Sequence, residues 1–182
     1  MKQNDETIEY RRLRPEEIDP ALFDAFERHQ RVSRCWRKED GVWRIRDISF
    51  VERWGNAEYE VLCADLKRTI STNGAAFGAL IDGELKGFAA VSAGLFGKNR
   101  EYIDMPTLHV SEESRGRGIG KALFLLAAGW AREQGAKKLY ISGHSAVETQ
   151  AFYRAMGCAE AAEYSARHVA AEPCDCQLEY VL

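Results

Sequence analysis

What the chain lacks narrows its class first. None of its apolar stretches approaches the ~18–20 residues of a membrane span, so no membrane partner is expected. The N-terminal residues Met1-Lys2-Gln3-Asn4-Asp5-Glu6 are polar and no apolar run follows them, so no signal peptide is visible and a cytoplasmic location is expected. Internal repeats, low-complexity tracts and Pro/Gly/Ser linkers are missing, which leaves a domain boundary without support. One domain over residues 1–182 is expected, long enough to bury a substantial core. A net charge of −3 lacks the basic excess that draws a chain to nucleic acid. Five cysteines (Cys35, Cys63, Cys158, Cys174 and Cys176) form an odd, scattered set that argues for reducing surroundings over a disulfide framework. Cys174-Asp175-Cys176 has no second Cys/His pair nearby, so it reads as buried structural thiols in a strand and no metal is expected.

What is present centres on Arg115-Gly116-Arg117-Gly118-Ile119-Gly120-Lys121. Three alternate glycines remove the side chains that would keep a ligand from the backbone, and they allow dihedrals that other residues avoid. Ile119, Leu123, Leu126 and Trp130 then recur at helical spacing, so the glycines form the N-terminal turn of a helix. The first N–H groups of a helix have no internal partners, and the macrodipole adds positive charge there. With Arg115, Arg117 and Lys121 alongside, the turn suits a phosphate or pyrophosphate. A P-loop spacing fails, because its first glycine would fall on Arg115 and Ala122 follows the lysine. A dinucleotide fingerprint fails as well, because its third glycine would fall on Lys121.

The spacing that fits is R-x-x-G-x-G, read as Arg115, Gly118 and Gly120, after Leu108-His109-Val110 and before Ala122-Leu123. It resembles the acetyl-CoA pyrophosphate loop of the GNAT superfamily of N-acetyltransferases. Ala151-Phe152-Tyr153-Arg154-Ala155-Met156-Gly157-Cys158 resembles that family's second signature, F-Y-x-x-x-G-[FC]. The resemblance implies acetyl-CoA as co-substrate, bound by Leu108, His109, Val110 and residues 115–121. It further implies direct attack by an acceptor amine in a ternary complex, and Tyr153 as the acid that protonates the departing CoA thiolate. Tyr has a reference pKa of ~10 and is protonated at neutral pH, which suits that step. The alternative for Phe152 and Tyr153 is a pair of core aromatics. The family's frequent asparagine about seven residues before the tyrosine is missing from Gly143-His144-Ser145-Ala146, where Ser145 or His144 would have to substitute.

The elements read as strand Ile8–Leu13, a helix opened by Pro15, a long connection over residues 30–56, and a helix from Ala57 to Ile70. Strands Ala75–Ile81 and Leu85–Leu95 follow, joined by the turn dipeptide Asp82-Gly83, then a strand from Tyr102 to Val110. A helix from Gly118 to Gln134 stops at Gly135, and Lys138–Ser142 is a strand. A helix Glu148–Met156 ends at Gly157, and strands Cys158–Tyr164 and Cys176–Leu182 close the chain. The fold expected is α/β, a central mixed and mostly antiparallel sheet flanked by helices, as in the GNAT family, splayed at the acetyl-CoA site.

The base that frees the amine is not settled by sequence. His109 and Asp104 precede the loop and His144 follows the next strand; His144 is placed ahead because the end of that strand should border the cleft, with a water chain as the other route. The acceptor, a small-molecule or peptide amine, would be chosen by residues 30–56 and 164–174. The first segment holds Trp36, Trp43 and Trp54 among many arginines, which reads as a solvated face with Trp stems turned inward. A non-catalytic acyl-CoA sensor on the same fold is the other reading, favoured if Trp36 or Trp54 fills the cleft. Homodimerisation is left open.

Overall fold

The computed structural model describes residues 7–182, and the polar N-terminal hexapeptide lies outside them. Strand β1 (Ile8–Arg12) leads into two short 3-10 turns, Pro15–Glu17 and Pro20–Phe23. A single helix was expected here; Pro20 instead starts a second turn, capped by Asp19, whose Oδ1 accepts from the Leu22 N–H at 3.2 Å. Residues 29–53 correct the sequence reading more substantially. They form a long antiparallel hairpin of β2 (His29–Glu39) and β3 (Val42–Arg53), turned at Asp40-Gly41 with φ of 51° and 78°.

Helix α1 (Asn56–Ser71) is followed by β4 (Ala75–Ile81) and β5 (Glu84–Val91), which pair as predicted across Asp82-Gly83. The single strand expected from Tyr102 to Val110 is two, β6 (Tyr102–Asp104) and β7 (Thr107–Val110). Pro106 stands between them and has no N–H for a ladder bond. Helix α2 (Ile119–Glu133), β8 (Lys138–Gly143) and α3 (Val147–Ala155) come next. The expected strand Cys158–Tyr164 contracts to β9 (Ala159–Glu160), and the connection after it contains α4 (Ala166–Ala171) before β10 (Cys176–Val181).

The strands form one sheet of order β1-β4-β5-β7, a second of order β6-β8-β10-β9, and the separate hairpin. All pairings are antiparallel except β6 with β8. The first two sheets share the chain at Met105-Pro106, where β7 turns to β5 and β6 stays with β8. The strands therefore diverge at that point, which is the expected splay.

β4 is buried along its whole length because both faces of its sheet are covered, in keeping with its unbroken apolar sequence. On one face, α2 packs Ile119, Leu123, Phe124 and Ala127 against Phe77, Ala89 and Val91. Leu126, assigned to that stripe from its spacing, is 37% exposed; Phe124 and Ala127 take the inward positions. On the other face, Leu62 and Leu66 of α1 join Phe23, Phe26 and Phe88. The hairpin covers the end of β8. Its Val32 and Cys35 pack on Ala146, and the Trp36 N–H donates to the Ser145 carbonyl at 2.8 Å. Among the described residues, no helix is long and apolar enough to cross a membrane.

Candidate active site

The glycine turn forms where sequence places it. Gly116 and Gly118 have φ of +77° and +82°, and a Cβ at either would meet nothing within 4 Å, so their requirement is conformational. The first bond of α2 runs from the Ala122 N–H to the Gly118 carbonyl at 3.0 Å. The N–H groups of Ile119, Gly120 and Lys121 thus begin the helix without intrahelical partners. Gly120 has a steric reason instead: a Cβ there would lie 3.3 Å from the Phe152 ring and 3.6 Å from the Val110 side chain. Strand β7, helix α2 and helix α3 meet at this glycine, which brings the two sequence motifs into one place. Arg117 and Lys121 are exposed beside the turn. Arg115 has structural work as well, since Nη2 donates to the His29 carbonyl at 2.6 Å and Nε to the Val110 carbonyl at 3.3 Å. It ties the turn to the hairpin and to β7.

β7 is the edge strand of its sheet. The Ser111 N–H donates to the Lys86 carbonyl at 2.9 Å, and Val110 stands opposite Gly87 in the ladder. Antiparallel alternation then points the backbone groups of His109 toward β5 and those of Leu108 and Val110 away from it, into the splay. The side chains divide the other way. Leu108 and Val110 pack on the α2 side, while the His109 ring lies 4.9 Å from Trp54 and 5.4 Å from Phe88 on the α1 side.

Tyr153 sits on α3, buried against Phe152 at 5.2 Å and Phe124 at 6.5 Å between ring centroids. Its ring closes on the end of β8, where a Cβ on Gly143 would be 3.2 Å away. Burial pushes the phenol above its ordinary value, with Cys158 and Asp175 acting in the same direction. The group is therefore protonated at neutral pH.

Comparison with known proteins matches residues 39–158 to the model of the acetyltransferase (GNAT) family. The chain belongs to the GNAT family. The structural likeness extends over nearly all of this acetyltransferase. Nourseothricin acetyltransferase is similar with a TM-score of 0.64 at 22% identity, covering 94% of this chain and 95% of its own. A protein assigned as a streptothricin acetyltransferase from Bacillus anthracis str. Ames, in complex with acetyl coenzyme A, gives 0.69 at 16% identity, with 98% of each chain covered. The PaiA N-acetyltransferase from Thermoplasma acidophilum, in complex with coenzyme A, gives 0.58 at 16% identity over 97% and 99%. At these identities the likeness shows the fold. No curated protein matches in sequence.

The three base candidates of this GNAT chain are placed very differently. His144 accepts the Ala146 N–H on Nδ1 at 3.1 Å and presents Nε2 toward Glu52 at 4.0 Å. Its free lone pair is thus committed to a local turn beneath the hairpin. The neighbouring Ser145 hydroxyl accepts from Arg37 at 2.6 Å, so neither residue is at liberty to stand in for the missing asparagine. His109 is closely surrounded, and burial first, then the charges of Arg28, Arg115 and His144, push its imidazole down to about 3. Such a ring is too weakly basic to hold a proton taken from an amine. Asp104, at the end of β6, is buried with Oδ1 lacking a partner. In the sequence Asp104 is a base candidate beside His109 with no signal that ranks it; the orphaned oxygen is visible only once the fold is assembled.

Asp104 and His109 line a cavity of about 890 Å³, walled by Trp54 and α1 on one side and by Arg167 and His168 of α4 on the other. Trp54 is part of its wall and Trp36 is not. Trp36 instead packs under the Arg154 guanidinium at 4.5 Å, bearing out its inward stem. Cys176 is buried in β10 whereas Cys174 is exposed outside it, so only one of that pair is the buried thiol expected.

Proposed function

We propose that this chain transfers an acetyl group from acetyl-CoA to a primary amine, by direct attack within a ternary complex. The observation that carries the reading is the open edge of β7, continuous with the positive, glycine-lined start of α2 and facing the splay. The pyrophosphate would lie on the N–H groups from Gly116 to Lys121, as anions do at helix N-termini. The pantetheine amides would pair with Leu108 and Val110 like an added strand. Four residues at ~3.3 Å make β7 about 13 Å long. An arm running back from the turn therefore brings the thioester near Leu108, the second residue of β7, and the Leu108 N–H becomes the donor for its carbonyl oxygen.

In the transfer, the amine nitrogen forms a bond to the thioester carbon and the carbon–sulfur bond breaks. Tyr153, kept protonated by its burial, gives its proton to the thiolate. The proton leaving the ammonium passes to water in the open cavity, beside the Asp104 side chain, and His144 is left as a residue that shapes the turn after β8. The sensor reading needs a blocked cleft, and the open cavity favours the enzyme.

The test has two parts. Acetyl-CoA at about 100 times its Kd should raise the melting temperature by about 5–10 °C. A panel of primary amines should then release free CoA thiol from acetyl-CoA. No thermal shift would end the donor assignment; a shift with no thiol release from any amine would favour the sensor.

A further inference from the structure

Asp104 is held unusually for a side chain on a cavity wall. Its side chain is 5% exposed, Oδ2 lies 3.0 Å from Arg167 Nη2 and 3.1 Å from His168 Nε2, and Oδ1 is buried without a partner. A buried carboxylate oxygen left unpaired is unfavourable and marks a place for a donor. The two partners differ in how firmly they are fixed. His168 is stacked on Tyr140 with ring centroids 5.2 Å apart and planes at 24°. Tyr140 is itself fully buried, and its hydroxyl accepts the Ser165 N–H at 2.9 Å just before α4. Arg167 has no such anchor. Its side chain is 76% exposed, and among the described residues its one polar contact besides Asp104 is the ring nitrogen of its neighbour His168 at 3.3 Å. An ion pair made by an exposed, rotamer-rich side chain is weak and readily exchanged. Arg167 can therefore swing into solvent while His168 and α4 keep their places.

We propose that Arg167 is a displaceable occupant of the acceptor subsite, and that the acceptor resembles it: an unbranched aliphatic chain ending in a primary ammonium. The side chain reaches from the surface along the cavity to a buried carboxylate, which is the path such an acceptor must take. The incoming ammonium replaces the guanidinium on Oδ2 and supplies the donor that Oδ1 lacks. A compact ammonium has three donors and can serve both oxygens, which one Nη2 contact does not. The remaining wall favours a cation. Arg68 is paired with Asp65 at 2.6 Å, so once Arg167 leaves, Glu58, Asp104 and Glu172 stand on the cavity lining with the His168 ring beside Asp104 as their remaining basic partner. This inference rests on the acetyl-transfer reading above and adds the acceptor's class to it.

The probe is pentane-1,5-diamine, titrated by calorimetry into the CoA-saturated protein, with pentan-1-ol as the neutral control. Arg167→Ala should bind the diamine about tenfold more tightly than wild type, and Asp104→Asn about tenfold or more weakly. Pentan-1-ol should bind none of them. Diamine binding to Arg167→Ala that is equal to or weaker than wild type overturns the inference, and so does unchanged binding to Asp104→Asn. Arg167 is exposed, so its variant should fold even if Asp104→Asn does not. Thermal protection by acetyl-CoA, measured on the same samples, keeps the two readings apart. Protection without diamine binding removes only the acceptor class, whereas loss of protection in wild type removes the donor assignment.

Discussion

The two sides of β7 are built from different parts of the chain's chemistry. On the α2 side the proposed ligand contacts are backbone groups: the edge of Leu108 and Val110 and the first N–H groups of the helix. On the α1 side the contacts are side chains, with Asp104, His109, Arg167 and His168 brought from three separate elements. A backbone site tolerates many side chains but depends on a few dihedral angles. A side-chain site depends on which residues the fold happens to bring together. The difference predicts which substitutions are severe.

The largest effect should come from Gly118→Val. The position needs φ near +82°, which a β-branched residue adopts only with strain of about 1–3 kcal/mol. Relief of that strain would rotate the peptide groups at the start of α2 away from the anion. Thermal protection by acetyl-CoA should vanish while the unliganded protein still melts cooperatively. Full protection in the variant would show that the glycine turn does not hold the cofactor.

The same division explains what could be read from the sequence. The glycine spacing, the strand before it and the helix after it lie within about twenty-five consecutive residues, so the local pattern carries the local geometry. Tyr153 is more distant, but its F-Y-x-x-x-G context travels with it. The acceptor side has no such continuity. Asp104 and Arg167 are more than sixty residues apart, and neither stands in a recognisable pattern. The hairpin of β2 and β3 was hidden for another reason. It carries charged residues on its outer face and a register shift between Val32 and Arg34, which break the two-residue alternation. Its turn is Asp40-Gly41, the same dipeptide as Asp82-Gly83, and that signal was available. The strand break at Pro106 was available too, since a proline inside a strand pattern marks an edge or an interruption.

Tyr153→Phe should produce the next effect, and it separates chemistry from binding. The ring still fills its place against Phe124 and Gly143, so acetyl-CoA protection should be unchanged. Turnover should fall about a hundred-fold through loss of the general acid. Because burial raises the phenol above its usual value, wild-type turnover should show no alkaline decline from this group below pH 10. Unchanged turnover in the variant would reduce Tyr153 to a packing residue and move the proton source elsewhere.

The smallest effect concerns His109, the one residue with a share in both sides: its backbone belongs to β7 and its ring to the acceptor cavity. The ring is pushed down to about 3 in the folded protein, against ~6.5 when unfolded. Between these values the unfolded chain binds the extra proton, so folding stability falls as pH drops through that window. Above about pH 6.5 the ring is neutral in both states and the contribution is complete. His109→Phe keeps an aromatic between Trp54 and Phe88 and removes the titration. Thermal melts from pH 7 to pH 4 should then decline less steeply for the variant than for wild type, by a few degrees over the range. Parallel declines would mean that the ring takes up its proton without disturbing the fold. A neutral His109 also leaves Asp104 as the buried acidic side chain on the β6–β7 wall of the cavity, which is what a cationic acceptor entering past Arg167 would meet.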